Sequence, residues 1–158
     1  MLRLADPGFT LPAGIMSDLG LVRYAGYADL PAAQALKDRV ARDHAEHLAH
    51  GVHLIVVQSA DGSLVVGDSH HYADTPWPFA AATSEALILD EFEAATGLAP
   101  PPVIERWTGI YSSAEKPFFV DAPSDALRIV MVTSGTGASM SFGLAEQVIA
   151  QLYGVGHG

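Results

Sequence analysis

Residues 53–68 read HLIVVQSADGSLVVGD, and this stretch limits the fold more than any other. Two runs, 53–59 and 63–68, flank Ala60-Asp61-Gly62. Asp-Gly favours a tight reversal because the glycine takes positive φ without steric cost. An antiparallel hairpin is expected, and with it a sheet that is at least partly antiparallel.

Helices are expected on either side. One runs from 31 to about 49, with Pro31 in its first turn, where a missing N–H costs nothing. Leu36, Val40 and Leu48 mark its face, and Gly51 suits a left-handed cap. A second spans about 80–96 and ends at Gly97; a third spans about 139–153 and stops at Gly154. Further strands are expected at 1–5, 20–27, 103–111, 117–120 and, as a buried strand, 127–133. Residues 9–19 and 69–78 read as loops, and Pro100-Pro101-Pro102 forces an extended connector. The result is an α/β (α+β) fold: a mixed, largely antiparallel sheet with helices on one side. The tail from 154 to 158 is expected to be flexible.

Of 158 residues, 49% are hydrophobic, enough for one domain with an aliphatic core. The formal charge of −10 leaves no basic footprint for nucleic acid or an anionic membrane. No apolar run is long enough to span a bilayer, and the opening MLRLADPG lacks a signal-peptide pattern. Cysteine is absent, which removes disulfides, thiolate nucleophiles and thiolate metal ligands. A cytoplasmic location is expected.

The last quarter carries the chemical signal. An apolar strand enters Ser134-Gly135-Thr136-Gly137-Ala138-Ser139, and a helix follows. Glycines allow close approach, and a helix N-terminus offers free N–H groups and a positive end to an electron-rich ligand. The same residues also suit a plain strand-to-helix turn with Ser139 as N-cap. Arg23, in an otherwise apolar segment, is a candidate anion anchor or an edge-strand ion-pair residue. Asp68, Ser69, His70 and His71 follow a strand end; His70 could approach substrate, or Asp68 could simply cap a surface turn. Tyr24, Tyr27 and Tyr111 could line a pocket or sit in core or rim. His44, His47 and His50 recur every three residues, and with His53 they raise the question of zinc. The order is not HExxH and no cysteine is near, so a solvated helix face and no metal are expected. Ser139 lacks the GxSxG frame of a nucleophile elbow, and Ser134-Gly-Thr-Gly is too short for a phosphate-binding Walker loop.

Four segments, in order, resemble the C-terminal part of FAD-dependent oxidoreductases of the D-amino acid oxidase and glycine oxidase superfamily. They are the opening MLRL, the hairpin ending Val66-Gly67-Asp68-Ser69, the strand Glu105-Arg106-Trp107-Thr108-Gly109, and the loop and helix from Ser134 to Glu146. Leu21-Val22-Arg23-Tyr24, Gln58, Asp61-Gly62 and Gly67-Asp68-Ser69-His70 resemble a bacterial subgroup that often accompanies phosphonate degradation. The resemblance implies that residues 1–126 form a substrate-domain-like region, that 127–153 return to the flavin domain, and that 154–158 are tail. It implies FAD as cofactor, contacted by Gly135, Thr136, Gly137, Ala138 and Ser139. It implies oxidation of an amine, amino acid or aminophosphonate, with Arg23, Arg106, Tyr111 and His70 as substrate-binding candidates. Many amine-oxidising relatives carry Arg-Pro after the glycine matching Gly109; here Ile110, Tyr111 and Ser112 follow. The N-terminal GxGxxG segment is absent, so the chain resembles a fragment that needs a separate FAD-binding segment. Exposed apolar surface would then favour homodimerisation. A small-anion or partner-binding domain without catalysis is the reading from another class.

Overall fold

A computed structural model describes residues 1–154. It separates into two compact units, Met1–Thr108 and the chain from Gly109 onward. The hairpin expected from sequence is present, and every strand pairing among the described residues is antiparallel, without the parallel pair a mixed sheet would contain.

The first unit is built on a five-stranded sheet. Its strands are β1 (Leu2–Leu4), β2 (Ile15–Met16), β3 (Val52–Gln58), β4 (Leu64–Ser69) and β5 (Val103–Arg106), in the order β2-β3-β4-β1-β5. β3 and β4 form the expected hairpin, and Gly62 takes φ +86° in its turn. Asp61 completes the turn by accepting from the backbone N–H of Ser63 at 3.0 Å and its hydroxyl at 2.6 Å. Alternate residues Val52, Leu54 and Val56 of β3 join Leu2, Leu4, Leu64 and Val66 in the core. The helix Ala82–Thr96 lays Ile88 and Phe92 on that face. It ends at Gly97, φ +70°, as read from sequence. Burial of this aliphatic layer, at about 25 cal/mol per Å² of apolar surface, is the main force holding the unit.

Four expectations fail here, the first being the loop read at 9–19, which holds β2 and the start of the first helix. Residues 20–27 are not a strand: helices α1 (Asp18–Arg23) and α2 (Ala25–Ala28) occupy them. Ser17-Asp18 acts as a helix start, with the acid in the first turn, and Leu19 is buried on the helix rather than on a sheet. Arg39, on the next helix, pairs with Asp18 and secures that end. The helix expected from 31 to 49 begins at Ala33 and breaks at His44, whose φ and ψ of −129° and 36° leave the helical region. The pieces are α3 (Ala33–Asp43) and α4 (Ala45–Ala49). The break turns His47 inward and leaves Leu48 40% exposed. The strand read as 103–111 stops at Arg106, because β1 pairs with it only until the Trp107 N–H reaches the Met1 carbonyl at 3.2 Å. Continuing the numbering, Ala82–Thr96 is α5.

The second unit pairs β6 (Phe118–Ser124) with β7 (Leu127–Val132), then turns through Thr133–Thr136 into α6 (Gly137–Tyr153). Gly154, φ +65°, ends α6. The apolar run of β7 is expected to be buried, yet Ile129, Val130 and Met131 are 40–45% exposed. Within a two-stranded ribbon, neither face of such a strand has a sheet layer to cover it. The tail beyond Gly154 lies outside the described residues.

Candidate functional site

Two groups of the candidate residues are built by the fold, one in each unit. The first lies where β3 begins and β4 ends. Between the pairs Val52–Ser69 and Ile55–Gly67, β3 advances three residues while β4 advances two. His53 and Leu54 therefore both stand opposite Asp68. Such a bulge re-aims one side chain, and here it sets a buried histidine beside the carboxylate. His53 Nδ1 lies 2.8 Å from Asp68 Oδ1, off the line of the ring N–H, and His70 Nε2 lies 3.2 Å from the same oxygen. The two imidazoles meet edge to face, with centroids 4.9 Å apart. On the other side of His53, Nε2 is 3.2 Å from the Tyr24 hydroxyl.

Backbone geometry holds His70 in place. Its N–H donates to the Gly51 carbonyl at 3.0 Å. Gly51 has φ +61°, and a Cβ there would fall 2.3 Å from the His70 carbonyl oxygen. Tyr72 stacks over His70 at 6.5 Å and accepts from Arg23 Nη2 at 3.0 Å. Arg23, Tyr24, His53, Asp68, His70 and Tyr72 thus make one connected polar group on the apolar sheet.

Burial raises the Asp68 carboxyl, but hydrogen bonds from His53 and His70, reinforced by their charge, outweigh it and hold it well below the usual carboxylate range. Asp68 is therefore an anion at neutral pH. Burial first, and then the Asp68 charge, pushes the Tyr24 phenol up, with Arg23 opposing. Tyr24 keeps its proton and can hand a hydrogen bond to His53. Among the described residues Arg23 makes no ion pair; its recorded partner is the Tyr72 hydroxyl.

Sequence reasoning brought forward Arg23 and His70, and both fall in this group. Asp68 lies in strand β4, where Oδ1 lies against two histidines, so the surface-turn alternative does not hold. Arg23 sits at the end of helix α1 rather than in an apolar strand. In the sequence His53 stands out only as a zinc candidate, and Tyr72 carries no signal. The available signal was a histidine inside HLIVV, a polar side chain that an apolar strand must bury with a partner. Arg106 lies apart on the edge strand β5. Its guanidinium forks onto Glu85 of α5, with Nε–Oε2 at 2.5 Å and Nη2–Oε1 at 2.7 Å. Hydrogen bonding from Arg106 is the main cause holding the Glu85 carboxyl low. An open hollow of about 560 Å³ lies at the opposite, turn end of the β3–β4 hairpin, beside Asp6, Phe9 and Gln58, and contains none of the candidates.

The second group is the loop leaving β7. Gly135 has φ +74°, and a Cβ on it would meet the Tyr111 ring and hydroxyl at 3.3–3.4 Å. Thr136, not Ser139, is the N-cap of α6, and the helix begins at Gly137. The helical ladder opens with Met140 N–H to the Thr136 carbonyl at 3.0 Å, which leaves the N–H groups of Gly137, Ala138 and Ser139 ahead of it. Ser134 and Thr136 hydroxyls share a 2.6 Å hydrogen bond, and Ser139 Oγ donates to the Thr136 carbonyl at 3.0 Å. All five flavin-contact candidates therefore fall on one loop and first helical turn, with Tyr111 against it.

The helical histidines do not form a solvated face. His47 is buried, His44 is half-buried, and both approach acidic residues of α5. No protein-family model, curated protein or solved structure matches the chain. No helix among the described residues is long and apolar enough to cross a membrane.

Proposed function

We propose that this chain is the C-terminal, substrate-side part of a FAD-dependent oxidoreductase acting on CH–NH groups, with an amine, amino acid or aminophosphonate as substrate. The observation that carries the reading is the second unit's device: apolar β7, positive-φ Gly135, and the N–H groups of Gly137, Ala138 and Ser139, which precede the first helical hydrogen bond. That donor set suits the electron-rich edge of a flavin ring, because fixed N–H dipoles stabilise charge that develops there. Exposure of Ile129, Val130 and Met131 supports a fold completed by another segment, which is the FAD-binding part in this reading.

FAD, when bound, supplies the acceptor for the hydride leaving the carbon beside nitrogen. The chain's own residues bind and orient. Arg23, free of any carboxylate partner among the described residues, holds the anionic end of the substrate. Asp68 fixes the rings of His53 and His70 and balances positive charge in the group. Hydride transfer from a neutral amine needs no strong base, in keeping with a polar group whose carboxylate lies against two histidines.

Co-expression with a polypeptide bearing a GxGxxG dinucleotide-binding segment tests the reading. The expected result is a complex that keeps its yellow colour through gel filtration and is bleached by amines or aminophosphonates without oxygen. The isolated chain should quench flavin fluorescence weakly or not at all. A stable complex that retains no flavin would refute the proposal. Arg23, which has no carboxylate partner among the described residues, also supports a second reading, a small-anion-binding domain without catalysis. That reading is favoured if phosphonate binds the isolated chain and the Arg23→Gln variant loses it, while no flavin is retained in any complex.

A further inference from the structure

Away from the residues assigned above, α5 carries Asp90 and Glu91 toward the break between α3 and α4. Glu91 is a carboxylate with a side chain only 4% exposed, set beside an aliphatic core. Its recorded ion-pair contact is His44 Nδ1 at 3.8 Å, too long for a hydrogen bond. His47, with a side chain 10% exposed, has Nε2 buried with no hydrogen-bond partner, and this atom lies 3.5 Å from Asp90 Oδ2. An unsatisfied imidazole nitrogen and a weakly compensated buried carboxylate are each costly. Both are explained if their lone pairs converge on a cation.

We propose that His44, His47 and Glu91 form a binding site for a divalent transition metal, zinc by preference, with the fourth position left to solvent. One donor atom from each of the three lies within 4.8 Å of the other two. A tetrahedral zinc with nitrogen and oxygen ligands at about 2.0–2.2 Å spaces its donors about 3.3–3.5 Å apart, so closure needs side-chain movements of about 1 Å. Two imidazoles and carboxylate oxygen suit zinc, cobalt or nickel better than calcium or magnesium, which prefer all-oxygen shells. The His44 break serves this arrangement: it is the C-cap of α3 and the N-cap of α4, and it turns His44 and His47 to the same partner helix. A bound ion would clamp α4 to α5 and replace two poorly satisfied buried groups with coordination bonds. The site is independent of the flavin proposal, since it uses none of the same residues.

His53, Asp68 and His70 are the other place among the described residues where such donors gather, so a variant there tells the two sites apart. The test is titration of the untagged, chelator-treated full chain with Co²⁺ and then Zn²⁺, followed by visible absorption and calorimetry. One Co²⁺ per chain is expected, with the bands of a low-coordinate nitrogen–oxygen site that Zn²⁺ bleaches. His44→Gln and Glu91→Gln should each weaken binding by about 100-fold or more, since even indirect ligand support is worth 10–100-fold. His70→Gln should leave it unchanged. His44 is half-buried, so its variant keeps the test usable if loss of Glu91 or His47 prevents folding, which circular dichroism checks. Absence of binding, binding that survives both His44→Gln and Glu91→Gln, or binding lost in His70→Gln would overturn the assignment.

Discussion

Asp68 Oδ1 stands 2.8 Å from Nδ1 of His53, a residue 2% exposed inside an otherwise aliphatic strand. The pair makes the first unit sensitive to acid. The Asp68 carboxyl is held below its unfolded value, so its contribution to stability is fully present above the ordinary carboxylate range, near pH 4, and is lost as pH falls through the folded value. Asp68→Asn should cost about 1–3 kcal/mol at pH 7, because it removes the charge and leaves a buried and a half-buried imidazole with a neutral partner. Urea unfolding of both proteins at pH 7 and pH 3 checks this. The gap between them should narrow at the lower pH; an unchanged gap would mean that the carboxylate's charge is not what the histidines need.

His70 depends on a glycine nineteen positions earlier. Gly51 combines φ +61° with a Cβ position 2.3 Å from the His70 carbonyl oxygen, so strain and collision add. Gly51→Ala should destabilise the protein by about 2 kcal/mol or more, above the 1–2 kcal/mol expected from the left-handed backbone alone. It should also shift the His70 ring resonances in NMR spectra. A loss below about 0.5 kcal/mol would show that the β3–β4 end relaxes freely.

The parts of this fold legible in the sequence are those set by local chemistry. Asp61-Gly62 specifies the hairpin turn, and Gly97 and Gly154 mark helix ends, because each needs only the residue's own backbone preference. Long-range causes were not legible. Leu21-Val22-Arg23-Tyr24 passes for a strand until Leu19 finds a buried place on α1. The periodicity of Leu36, Val40 and Leu48 suits one helix, but the His44 break substitutes His47 for Leu48 on the inner side. In the site, Arg23 and His70 stood out as charged or titratable residues beside apolar runs. His53 joins them only through a one-residue bulge, and Tyr72 only through a loop path, neither of which leaves a local pattern.

Consecutive exposed apolar residues on β7 point to surface that seeks a cover. Val130→Lys should leave stability within about 0.5 kcal/mol, since the side chain is 41% exposed. It should reduce self-association of the isolated chain, read by light scattering after gel filtration across concentrations. Equal association of the variant and the unaltered chain would remove β7 as the associating surface. In the flavin reading, the same substitution should also weaken capture of the FAD-binding polypeptide.

The two glycines that bracket the start of α6 should respond in opposite directions. Gly143 lies within the helix, with open space where a Cβ would stand, so Gly143→Ala should stabilise by about 0.5–1 kcal/mol through lower chain entropy in the unfolded state. Gly135 has φ +74° and faces the Tyr111 ring at 3.3–3.4 Å, so Gly135→Ala should destabilise by about 1–2 kcal/mol. Thermal and urea unfolding of the two variants measure this contrast directly. The contrast also separates backbone support from cofactor contact. If the loop holds a flavin, Gly135→Ala should lower flavin retention in the complex by more than its stability loss explains, because the turn aims the N–H groups of Gly137, Ala138 and Ser139. Gly143→Ala, on an exposed helical position beyond those donors, should retain flavin like the unaltered chain. Parallel losses in both variants would mean that retention follows overall stability rather than the geometry of this loop.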